Sequence, residues 1–148
     1  MPQSLAGVYL HAIFSTKHRN PYLADRAIRE EVHAFLGGVS KRLDCPPLAI
    51  GGVEDHVHVL VRFARTLSIM EWIKEVKRVS SVFAKERTPD FSWQGGYAVF
   101  SVSGEATDRV IAYIRGQEEH HRKFGFQDEL RQLMSEHGIE WDERYVWD

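Results

Sequence analysis

The feature that most constrains the fold is the alternation Asp55-His56-Val57-His58-Val59-Leu60-Val61-Arg62-Phe63. Successive side chains of a strand point to opposite faces, so Val57, Val59, Val61 and Phe63 share one face. His56, His58, Leu60 and Arg62 share the other. A helix would scatter the four apolar positions around its axis, so this segment reads as a strand with one core face. The opposite face sets two imidazoles side by side.

Similar patterns organise the rest of the chain. Leu5 to Ser15 reads as a strand in which Val8, Leu10, Ala12 and Phe14 alternate with Tyr9, His11 and Ile13. Lys17 to Pro21 is a basic, turn-prone loop. A helix follows, capped by Asp25, with the stripe Ile28, Val32, Phe35/Leu36, Val39 and Leu43, and Pro46-Pro47 ends it. Leu48 to Val53 is a short strand carrying Gly51-Gly52. Ser68 and Glu71 have the capping-box spacing before a second helix with the stripe Ile69, Trp72/Ile73, Val76, Val79 and Phe83, which stops before Pro89. Tyr97 to Val102 is the last strand.

The order β-α-β-β-α-β is that of the split βαβ, ferredoxin-like arrangement. It predicts an α+β fold with an antiparallel sheet, two helices on one face and the other face free for a site. A long helix from about Glu105 to Phe124 and a shorter one from about Asp128 to His137 complete it. The 148 residues show no repeat or linker, and residues 1–148 are expected to form one domain.

Cys45 is the only cysteine, which excludes an internal disulfide and suits a reducing compartment. The start of the chain does not read as a signal segment, and no apolar run approaches the ~20 residues of a membrane span. A soluble cytoplasmic protein is expected, with no membrane partner. The net charge of −2 hides a local asymmetry. Between Arg62 and Arg87 stand seven basic residues against three acidic ones; between Asp128 and Asp148 stand seven acidic against two basic. Charge therefore permits a nucleic-acid surface without establishing one.

Two motifs carry chemistry. His56 and His58 can ligate a divalent ion, with Asp55 or Glu54 as further ligand or as orienting group; the same pattern also fits two half-exposed sheet histidines. In Tyr113-Ile114-Arg115-Gly116-Gln117, Tyr113 and Gln117 are adjacent on one helical face, with Arg109 and His120 on the same arc. Gly116 costs about 1 kcal/mol in a helix interior, which points to close approach by another group. Together the motifs suit phosphodiester chemistry: a tyrosine hydroxyl as nucleophile, and a cation to polarise the phosphate and stabilise the leaving oxygen.

At this point the sequence resembles the single-tyrosine HUH transposases of small bacterial insertion sequences, including those associated with repetitive extragenic palindromes. The resemblance is carried by Phe14-Ser15-Thr16-Lys17-His18-Arg19, Asp55-His56-Val57-His58, Phe91-Ser92-Trp93-Gln94-Gly95-Gly96-Tyr97, Phe100-Ser101-Val102-Ser103, and Tyr113-Ile114-Arg115-Gly116-Gln117-Glu118-Glu119-His120-His121. The tail from Gly138 to Trp147 also fits. The resemblance implies Mg²⁺ or Mn²⁺ on His56 and His58, Gln117 as third protein ligand, and Tyr113 as the nucleophile that forms a 5′-phosphotyrosine linkage. It further implies hairpin-bearing single-stranded DNA as substrate and a homodimer, in which the tyrosine acts in cis or in trans.

Such an enzyme needs positive surface near the phosphates. Lys17, Arg19, Arg62, Lys74, Lys77 and Arg78 are the expected contributors. His120 or His121 stands in for Gln117 as ligand, or ends the helix in solvent. Trp93 and Tyr97 stack on bases or pack the core. A non-catalytic protein that binds hairpin nucleic acid is the alternative from another class, and a metal-dependent phosphoesterase using water is a third; the trio His56, His58 and Tyr113 favours the transposase.

Overall fold

Tyr9–Ser15 (β1), Pro47–Gly52 (β2), His56–Arg62 (β3) and Ala98–Val102 (β4) form one antiparallel sheet in the order β2-β3-β1-β4. The computed structural model describes residues 2–148. Arg26–Arg42 (α1) and Ile69–Arg87 (α2) pack together on one face, as the ferredoxin-like order requires. Both start where their caps predict. Asp25 accepts from the Ala27 and Ile28 amides, and the Ser68 hydroxyl accepts from the Glu71 amide.

The core under these helices joins Leu10, Ala12 and Phe14 of β1 and Val57, Val59 and Val61 of β3 to Val32, Leu36, Trp72 and Val76. Burial of each large aliphatic side chain contributes about 1.5–3 kcal/mol. A one-residue slip of β3 would replace its valines with His56 and His58, so the register is firmly set. Trp72 and Trp93 complete the core by donating to the buried hydroxyls of Ser40 and Ser80. Trp93 packs edge-on against Phe14 and Phe91, so it belongs to the core, while Tyr97 is partly exposed.

Three expectations are corrected. The first strand begins at Tyr9 rather than Leu5, because Tyr9 pairs with the last residues of both neighbours, Arg62 and Val102. The single long helix is broken into Thr107–Arg115 (α3) and Gln117–His120 (α4). Gly116 (φ −91°, ψ 15°) caps α3, its amide reaching back to the Ala112 and Tyr113 carbonyls. The close approach lies instead at Gly51, where an added Cβ would run into the Ile114 carbonyl oxygen.

The third correction concerns the face expected to be free. Phe126–Glu136 (α5) covers it near β1 and β4, with Phe126, Leu130 and Met134 on Ile13 and Phe100. Alongside, α3 docks Ile114 on Ala49 and Leu60. Ile13, Leu60 and Phe100 make this face too apolar to leave in water, so a roof is the favourable state. The two histidines lie beneath it.

Candidate active site

His56 and His58 project from β3 under the roof and are both 0% exposed. Each is held from its Nδ1 side. His56 Nδ1 lies 2.7 Å from Asp55 Oδ1, and His58 Nδ1 lies 2.8 Å from His11 Nε2. Their Nε2 atoms face Glu129 of α5, 3.4 and 3.0 Å from its Oε1. His121, just past α4, brings a third Nε2 to within 3.2 Å of the same oxygen.

The other carboxylate oxygen serves the nucleophile candidate. Glu129 Oε2 accepts from the Tyr113 hydroxyl and, at 3.3 Å, from Gln117 Nε2. His120 Nε2 stands 3.1 Å from it. Gln117 is itself buried, with its Oε1 2.9 Å from His121 Nε2. One carboxylate thus gathers four histidines, a tyrosine and an amide from three separate elements.

This donor set fits a divalent ion. His56, His58, His121 and Glu129 each offer one ligand atom, and these atoms lie within 4.8 Å of one another. His56 Nε2 is buried and lacks a properly aligned hydrogen bond despite its nearness to Glu129. A buried ring nitrogen without a partner, pointed into a cluster of imidazoles and a carboxylate, has the chemistry of a ligand.

The charges are strongly coupled. Burial opposes the charge on Glu129, but His121, His56 and His58 together hold its carboxyl far below the usual range. Burial also opposes a proton on His56, yet Asp55 and Glu129 overcome it and raise its pKa to about 9. For His58 burial prevails over Glu129, and the pKa falls to about 4. His11, buried beside His58, falls to about 3. Burial and then the Glu129 carboxylate push the Tyr113 phenol well above its ordinary value.

The structure therefore brings together Tyr113, His56, His58 and Gln117. Lys17 and Arg19 lie at the same end of the sheet: Ser15 pairs with His56, and the Thr16 amide bonds the Asp55 carbonyl. Arg19 sits 5.9 Å from the Trp147 ring centre. The other basic candidates lie elsewhere. Arg62 is at the far end of β3, bonded to the Ala6 carbonyl. Lys74, Lys77 and Arg78 are on α2, across the sheet from the histidines. Lys77 ties down the loop before β4 through the Gln94 and Gly96 carbonyls, and burial lowers its pKa to about 8. Arg78 pairs with Glu75.

Glu129 is the residue that sequence reasoning missed, hidden among the acidic residues near the end of the chain. One signal marks it: it lies on the arc of Phe126, Leu130 and Met134, where a carboxylate is out of place unless paired.

The site is thus a buried imidazole pair beneath a tyrosine-bearing helix, on an antiparallel α+β sheet. Residues 4–117 match the IS200-like transposase family, and the chain belongs to that family. The matched segment takes in His56, His58, Tyr113 and Gln117 and ends before His121 and Glu129. Among solved structures, a Deinococcus radiodurans protein provisionally described as a transposase is similar at a TM-score of 0.63 and 21% identity, covering 79% of this chain and 95% of that one. A REP-associated tyrosine transposase, solved bound to a REP hairpin, is similar at a TM-score of 0.60 and 11% identity, covering 82% of this chain and 72% of that one. At these identities the two likenesses speak for the fold. A comparison with curated protein sequences found no match. No helix among the described residues is long and apolar enough to cross a membrane.

Proposed function

We propose that the protein cleaves and rejoins single-stranded DNA with Tyr113 as nucleophile. The observation that carries this reading is the convergence of Tyr113, His56, His58 and His121 on one buried carboxylate in a chain of transposase family. Attack of the Tyr113 oxygen on phosphorus forms the phosphotyrosine bond and breaks the P–O3′ bond. The phenol loses its proton, and the leaving oxygen takes one up to become a free 3′-OH. The strand 3′ of the break stays on Tyr113 through its 5′ phosphate. Attack by another 3′-OH reverses the step and joins new ends without ATP.

His56 and His58 hold a divalent ion in this reading, and the remaining positions are drawn from Gln117, His121 and Glu129. When bound there, the ion supplies positive charge that offsets Glu129 and polarises a nonbridging phosphate oxygen. A donor set rich in imidazole suits Mn²⁺ better than Mg²⁺. Asp55 and His11 orient the two rings from their Nδ1 sides. Tyr113 receives no help while Glu129 faces it uncompensated, since that carboxylate favours the neutral phenol.

The substrate proposed is DNA that folds into hairpins, the ligand of the REP-associated neighbour. Lys17 and Arg19, at the histidines' end of the sheet, are proposed to meet its backbone. A homodimer acting in the cytoplasm completes the reading, on the strength of the family resemblance. Within one chain the Tyr113 ring stands 5.7 Å from the His58 ring, which supports a reading in cis.

The test is incubation of 3′-labelled single-stranded hairpins with the protein and Mn²⁺, followed by denaturing gel and mass spectrometry. A DNA adduct on Tyr113 that vanishes in EDTA, in His56→Ala and in Tyr113→Phe is expected. Specific hairpin binding without an adduct would instead make the protein a non-catalytic hairpin binder. Cleavage that survives Tyr113→Phe would make it a phosphoesterase.

A further inference from the structure

Over the roofed face, α3 and α5 dock on separate apolar clusters. Between them a cavity of about 420 Å³ opens beside Tyr113. Phe100 of β4, Arg109 of α3, and Gln132, Glu136 and His137 at the end of α5 line it. Pockets for small organic ligands begin near ~300 Å³, so there is room for one nucleotide.

We propose that this cavity seats one nucleotide of the substrate strand, base inward and phosphate toward Arg109, and that it favours cytosine and adenine over thymine. The proposal deepens the reading of Tyr113 as nucleophile and rests on it for the identity of the strand. Three observations support it. First, two stacked aromatic pairs wall the cavity, His137 on the buried Phe100 with centroids 4.5 Å apart and His120 on Phe124 at 5.3 Å, and each leaves an outer ring face for a base. Bases of single strands are bound by stacking on such rings.

Second, the α5 wall presents acceptors. Gln132 and Glu136 line this wall, and Gln132 Nε2 donates to Glu136 Oε1 at 3.0 Å, so the second carboxylate oxygen and the amide carbonyl remain as acceptors there. Acceptors match the amino group of cytosine or adenine, whereas thymine shows a carbonyl oxygen at the same position. Third, Arg109 is exposed at the cavity, where its guanidinium can take a phosphate, and Tyr113 lines the same space. A seated base thus holds its phosphate within reach of the nucleophile.

The experiment is a titration of the ¹⁵N-labelled full-length protein, in EDTA, with dCMP, dAMP and dTMP, read by amide chemical shifts. The amides of Phe100, Arg109 and Glu136 should move, and dCMP and dAMP should bind about tenfold tighter than dTMP. Glu136→Ala, a change at an exposed position, should bring the three within about twofold of one another. Arg109→Ala should weaken all three alike. Equal affinities in the unmodified protein, shifts confined to amides away from the cavity, or no shift at millimolar nucleotide would each overturn the proposal. The two readings separate cleanly. Selective mononucleotide binding in a protein that forms no DNA adduct keeps the cavity and loses the tyrosine mechanism. An adduct in a protein that binds the three nucleotides equally does the reverse.

Discussion

The Tyr113 hydroxyl donates its hydrogen bond to Glu129, the same carboxylate on which the Nε2 atoms of His56, His58 and His121 converge. The candidate nucleophile and the candidate ligands therefore share one group. A change at Glu129 alters both the charge around the imidazoles and the state of the phenol.

Glu129→Gln preserves the shape of the side chain and removes its charge. His56 then loses one of its two anionic partners inside the protein. Breaking a buried ion pair from one side costs about 3 kcal/mol, which for a chain of this size lowers Tm by roughly 6–12 °C. Mn²⁺ affinity should fall at least ~10-fold. Calorimetric melting and Mn²⁺ titration check both, and an unchanged Tm would show that the histidines do not depend on this carboxylate.

Metal binding should be steeply pH-dependent. With its pKa raised to about 9, His56 carries a proton at neutral pH, whereas His58, at about 4, does not. A ligand nitrogen must be free of its proton, so loading near pH 7 should release about one proton. Apparent Mn²⁺ affinity should rise about tenfold per pH unit up to about pH 9 and then level off. The metal-free protein should show the opposite trend in stability. The contribution of a raised histidine pKa is fully present below the unfolded value near 6.5 and is lost as pH rises through about 9. Calorimetry in buffers of different ionisation enthalpy counts the protons, and a result of zero at pH 7 contradicts the assignment.

Gly51→Ala should separate the nucleophile from the histidines. The new Cβ meets the Ile114 carbonyl, a backbone atom that cannot rotate away, so α3 must move off β2. The fold should lose about 1–3 kcal/mol, and a displacement of Tyr113 by about 1 Å should slow adduct formation up to ~100-fold. Single-turnover cleavage measures this directly. Adduct formation at the original rate would mean that α3 tolerates the shift.

His33 on α1 gives a pH effect away from the site. Its Nε2 is buried without a partner, and burial followed by Arg29 lowers its pKa to about 4. The unfolded chain binds this proton more readily, so stability is full above pH 6.5 and declines as pH falls toward 4. The partial exposure of the ring reduces the contribution to roughly 2 kcal/mol. His33→Asn should flatten the acid limb of a stability–pH curve by that amount, and superimposable curves for the two proteins would refute the account.

The strand carrying His56 and His58 was legible because a period of two on a half-apolar segment has one structural solution. The caps at Asp25 and Ser68 were legible because they are local hydrogen bonds between residues two or three apart. The pairing of Tyr113 with Gln117 survives the break at Gly116 because the break falls between adjacent helices rather than across a loop. The position of the basic stretch from Arg62 to Arg87 relative to Tyr113 was not legible, since charge composition does not say which side of a sheet a helix occupies. Four of its residues lie away from Tyr113, at the far end of β3 or on α2.

The sequence by itself determined the alternating strands, the two capped helices, their ferredoxin-like order and the pairing of His56 with His58, because each depends on neighbours along the chain. The tertiary structure decided that α3 and α5 roof the second face, that Gly51 admits α3, and that Glu129 enters the histidine cluster. These depend on apolar surfaces and charges brought together from distant parts of the chain, and no local periodicity records which of them will meet.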